Sequence, residues 1–117
     1  MKYLCLIYDD ENRWLDAKPE EQQQSFAEHM ALMEEAQKNK QWVGGEGLQP
    51  VRNTVTLRVR NGKTVQTDGP FTELKEQIGG FYLFDCDNFD QAAALASKIP
   101  EARTGTIEIR PVMVYEG

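Results

Sequence analysis

The chain has 117 residues and carries 13 Lys and Arg against 19 Asp and Glu, for a net charge of −6. That length predicts a single domain over residues 1–117 with a real apolar core. The acidic balance argues against nucleic-acid binding, which rests on clustered Lys and Arg, and apolar runs such as Leu4 to Ile7 fall far below the roughly 20 residues of a membrane helix; the expectation is a soluble cytoplasmic protein that binds neither nucleic acid nor membrane.

Lys2 to Tyr8 has apolar residues on both alternating faces, which predicts a strand buried on both sides. After a polar loop, Pro19 suits a first helical turn, and Glu20 and Glu21 favour the positive end of the helix dipole. The helix runs to about Asn39, with Phe26, Met30, Met33 and Gln37 as its inner stripe and His29 on the flank. The segment GGEGLQP then reads as a glycine-rich loop that either lines a site or turns a corner. Its glycines do not match a nucleotide-binding pattern.

Thr54 to Arg60 alternates cleanly, which predicts a strand with one wet face at the edge of the sheet. Asn61-Gly62 marks a hairpin with a return strand from about Lys63 to Thr67. Asp68-Gly69-Pro70 closes this extension, and Thr72 to Gln77 is expected to form one helical turn. Ile78 to Asp85 is a second two-sided strand and belongs in mid-sheet.

Asn88 to Gln91 matches a capping box opening a second helix, with Phe89, Ala92, Ala93, Ala96 and Ile99 inward. Thr106 to Tyr115 reads as the last strand, with Pro111 pointing to an edge or a strand end. The order β-α-β-β-α-β predicts an α+β, ferredoxin-like antiparallel sheet in the order 4-1-3-2, with both helices on one face. The other face is left apolar, which makes a face-to-face homodimer the economical inference.

Cys5 and Cys86 sit in or beside apolar strands and read as reduced, buried small hydrophobes. With His29 the single histidine, a multi-histidine zinc site within one chain is excluded, and neither metal nor cofactor is expected. Trp14 and Trp42 read as packing residues. Asp68 is open to two compatible roles, capping the turn begun near Pro70 or serving a ligand site. Glu46, Pro70, Phe71, Glu73 and Lys75 join it as candidate ligand contacts, against the plainer reading of Glu46, Glu73 and Lys75 as solvated charges. Arg110 is either an anion contact or the partner of Glu108 in an ion pair.

Four segments in order, MKYLCLIYDDE, GGEGLQP, TDGPFTELKEQIGGFYLFD and GTIEIRPVM, resemble the DGPF-type branch of the YCII-related family across nearly the whole chain. The resemblance implies a ferredoxin-like dimer of the dimeric α+β barrel kind and brings no firm activity. It also implies a catalytic acid-base dyad of His29 and Asp68, while His29 remains open to the plainer reading of a helix-flank histidine bonded to backbone or water. A carboxylate bonded to an imidazole fixes its tautomer and stabilises its charged form, which suits proton transfer without a cofactor. The expected function is therefore cofactor-free acid-base chemistry on an unknown small organic ligand in a cleft near the DGPF turn. The alternative is a non-catalytic binding or regulatory protein linked to sigma-factor and stress signalling, as the resemblance also suggests.

Overall fold

Alternation along the first strand decides which side of the molecule becomes the core. In β1 (Lys2–Asp9), Tyr3, Cys5 and Ile7 are buried while Leu4, Leu6 and Tyr8 on the opposite face are only half covered. The computed structural model, which describes residues 1–115, continues with α1 (Glu11–Leu15), α2 (Pro19–Lys38), β2 (Trp42–Gly47), β3 (Val55–Arg60), β4 (Lys63–Asp68), β5 (Gln77–Asp85), α3 (Phe89–Ala96) and β6 (Thr106–Pro111). Short 3-10 turns occupy Val51–Asn53 and Pro100–Ala102. The mixed α+β architecture with antiparallel sheets is consistent with the ferredoxin-like class.

Four strands form one sheet in the order β2-β5-β1-β6, and β3 pairs only with β4 in a separate hairpin. The edge position beside β5 thus belongs to Trp42–Gly47, which reads as a loop in sequence, and not to Thr54–Arg60. Glycine has low strand propensity, but packing against cross-strand neighbours overrides it here. At Gly45 a Cβ would lie 2.6 Å from Tyr82 Cδ1 and 2.9 Å from the Phe81 carbonyl oxygen, so the bare backbone is what lets β2 close on β5. The hairpin turn at Asn61-Gly62 takes positive φ at both residues, 53° and 74°, as its sequence predicts.

Tyr3, Cys5, Tyr82 and Phe84 from the sheet meet Leu32 and Ala36 of α2 and Ala92, Leu95 and Ala96 of α3 in a single cluster. Both helices therefore cover the same face. Burial pushes the Cys5 thiol up to about 11, and neither cysteine is in a disulfide. Asn88 caps α3 by accepting from the Gln91 amide at 3.0 Å.

The inner stripe of α2 differs from the expected one. His29, Leu32 and Ala36 face the sheet, whereas Phe26 and Met30 stay exposed. The helix is rotated because its small Ala36 permits close approach to the strands, and the Phe26 side is left over an open space. On α3, Leu95 is buried and Phe89 exposed, a smaller shift of the same kind. Thr72 to Glu76 is irregular and not a helical turn, and the last strand stops at Pro111. Among the described residues no helix is long and apolar enough to cross a membrane.

Candidate functional site

Three elements converge on the imidazole of His29. Its inward position on α2 aims the ring at β5, where Nδ1 lies 2.5 Å from the Tyr82 hydroxyl. On the other side Nε2 lies 2.5 Å from Oε1 and 3.0 Å from Oε2 of Glu101, which the 3-10 turn after Pro100 holds in place. That turn is fixed by its own backbone, with the Gly105 amide donating to the Glu101 carbonyl at 2.7 Å. Tyr82 is fixed in turn by stacking on Phe84, with centroids 5.5 Å apart, and by an edge contact with Trp42 at 5.6 Å.

An ionised carboxylate only accepts, so Nε2–H donates to Glu101 and leaves Nδ1 of the neutral ring as an acceptor for the Tyr82 O–H. Burial, and after it the negative charge of Glu101, pushes the Tyr82 phenol up to about 12, which keeps it protonated as that donor at neutral pH. The side chains of His29 and Glu101 are 25% and 18% exposed, so the pair is sheltered but reachable.

These groups lie in the wall of a cavity of about 1100 Å³ between the sheet and the α1–α2 side. Trp14, Phe26 and Met30 give it apolar walls. Asp9 and Arg13 brace one side, with Thr104 donating to Asp9 at 2.9 Å and Arg13 donating to Thr104 at 2.7 Å. Burial raises the Asp9 carboxyl, but the hydrogen bonds from Arg13, Thr104 and the Asp10 amide together hold it below its ordinary value. Glu28 pairs with Arg103 at 2.6 Å. With these two arginines neutralised, Asp10, Glu11, Glu20, Glu21 and Glu46 leave the mouth acidic.

The residues singled out in the sequence divide sharply. His29 and Glu46 line the cavity, but Asp68, Pro70, Phe71, Glu73, Lys75 and Arg110 do not. Asp68 ends β4, opposite Val55 in the hairpin, and is exposed. The pairing of His29 with Asp68 does not form within the chain, because both ring nitrogens are taken by Tyr82 and Glu101. The DGPF turn is held by backbone, through the Gly69 amide donating to Thr54 at 2.7 Å and the Thr56 hydroxyl donating to Gly69 at 2.7 Å. Arg110 sits on the sheet face away from the helices, beside Leu4.

Tyr82 and Glu101 are the functional candidates that sequence reasoning misses. Tyr82 alternates with Phe84 and reads as packing, and Glu101 lies 72 residues from His29 with no motif around it. Only Pro100, a rigid turn-former, hints that the next side chain is presented in one direction. Among the described residues no group of three or more His, Cys, Asp and Glu could hold a metal ion.

The fold and the cavity define a small α+β protein with a histidine-centred site. Residues 1–116 match the model of the YCII-related domain, and the chain belongs to that family. It is 35% identical over 124 aligned residues to an uncharacterised protein of Rhizobium meliloti (strain 1021), covering 99% of this chain and 95% of that one.

Proposed function

We propose that the protein is a cofactor-free acid-base catalyst acting on a small organic molecule in the α1–α2 cavity, and that it works as a homodimer through the sheet face opposite the helices. The observation that carries the first part is an imidazole held at both nitrogens, by a phenol and a carboxylate, in the wall of a cavity. Glu101 fixes the tautomer and stabilises the imidazolium. Tyr82 takes a proton from a substrate C–H acid as its own passes to Nδ1, and the reverse movement reprotonates the product at another atom. Such a shuttle fits isomerisation or elimination, which need no redox partner. The second part is supported by Leu4, Leu6, Phe81 and Leu83, which form a half-buried apolar face turned away from the helices. The DGPF-type branch remains our assignment within the family.

The test is proton exchange. A panel of small ketones, lactones and unsaturated acids is incubated with the protein in D2O, and loss of the C–H signal is followed by NMR. Exchange by the wild type should fall by about 10²-fold or more in His29→Gln and by a smaller factor in Glu101→Gln. Binding of a panel member with no exchange, or equal exchange by His29→Gln, would overturn the catalytic reading in favour of a binding protein.

A further inference from the structure

Charge is not spread evenly over this chain. Among the described residues, those that line the α1–α2 cavity include eight Asp and Glu, two Arg and no Lys. The 11 Asp and Glu elsewhere in the sequence are matched by 11 Lys and Arg, so the cavity lining accounts for the whole net charge of −6. A cleft lined by one sign of charge over low-dielectric walls focuses its field inward and concentrates ligands of the opposite sign.

Neither arginine of the lining is free to receive an anion. Arg13 donates to Asp9 and Thr104, and Arg103 donates to Glu28 at 2.6 Å. The carboxylates keep their charge. Asp10 accepts from the Asn12 amide at 3.0 Å and Glu11 from the Val51 amide at 2.8 Å, and both amides are neutral. Glu20 and Glu21 form no ion pair among the described residues. Deeper in, Glu101 stays negative against His29 while the ring is neutral.

On a flat surface such carboxylates would be ordinary solvated charges. Here they ring a concave space walled by Trp14 and Phe26, which are 47% and 66% exposed, with Trp42 and Tyr82 more deeply buried in the same wall. Aromatic faces attract cations through the ring quadrupole, and more strongly where water is excluded. We infer that the cavity takes an organic cation, a small apolar skeleton bearing a protonated amine or a quaternary ammonium group. The skeleton packs on Trp14 and Phe26, the positive group stays within the field of the mouth carboxylates, and a C–H acid elsewhere on the skeleton is left to face Tyr82 and His29. A carboxylate or phosphate ligand meets repulsion at the mouth and again at Glu101. This rests on the cavity being the ligand site of the proposed function and is independent of whether His29 moves a proton.

The test compares 2-phenylethylammonium, 2-phenylethanol and 3-phenylpropanoate, which are similar in size and differ in charge. The chain has two tryptophans, both in the cavity wall, so their indole N–H signals in a ¹H–¹⁵N spectrum report binding there. At pH 7 and low salt the cation should bind about tenfold more tightly than the alcohol, and the anion most weakly. Added salt should narrow the gap. In Glu20→Gln, Glu21→Gln protein the advantage of the cation should fall to about threefold. Glu34→Gln, Asp90→Asn removes as much charge outside the cavity and should keep the tenfold preference. Equal affinity for cation and alcohol, or tighter binding of the anion, overturns the cationic class and leaves the acid-base reading standing. Indole signals that none of the three probes moves overturn the cavity as a small-molecule site, and the acid-base reading with it. An equal fall in both variants overturns the part given to the mouth.

Discussion

Tyr82 shows how one buried group ties the site to stability. Its phenol, pushed up to about 12 by burial and then by Glu101, holds its proton more tightly folded than unfolded, where the ordinary value is near 10. The sign follows directly: the stabilisation is fully present below pH 10 and is lost as pH rises towards 12. Two units correspond to about 3 kcal/mol. Urea unfolding at pH 8, 10 and 12 should therefore show the wild type losing about 2 kcal/mol more than Tyr82→Phe across the upper interval, the rest of the loss lying on either side of it. Cys5 titrates in both proteins and cancels in the comparison. Equal losses would mean that the phenol is not sheltered as described.

The clearest strain within an element is the end of α2. The Lys40 amide donates to the Gln37 carbonyl at 3.1 Å and the Gln41 amide to that of Ala36 at 2.8 Å, the paired bonds of a Schellman cap. Such a cap needs a left-handed residue, and Lys40 fills that place at φ 59° where glycine is usual. Lys40→Gly should stabilise the protein by about 0.5–1 kcal/mol, relief of strain outweighing the added chain entropy. Thermal unfolding would register this as a rise of a few degrees. A fall in the midpoint would show that the Lys40 side chain contributes more than its backbone costs.

For the molecule as a whole, the proposed assembly rests on the sheet face turned away from the helices. Leu6 lies opposite Phe81 at the centre of that face and away from the helical core. Leu6→Glu should leave the fold intact by circular dichroism and convert the proposed dimer to a monomer by light scattering, since a charge at the centre of an apolar contact has no partner. A dimer of unchanged mass would place the interface elsewhere.

The sequence by itself determined the α+β class, the central strands β1 and β5, the start and end of α2, the cap at Asn88 and the Asn61-Gly62 hairpin, because each is written in local periodicity or turn chemistry; the expected burial of β1 and β5 on both faces holds for one face only. His29, through the family resemblance, and Glu46, as a charge beside glycines, were also named as candidates, and both line the cavity. Only the tertiary structure decided that Trp42–Gly47 is the edge strand, that α2 turns His29 inward, and that Glu101 and Tyr82 are the groups the imidazole meets. The physical reason is distance along the chain. Gly45 becomes a strand residue only because Tyr82 lies against it, and the 72 positions between His29 and Glu101 are spanned by the packing of helices on a sheet, which no local pattern encodes.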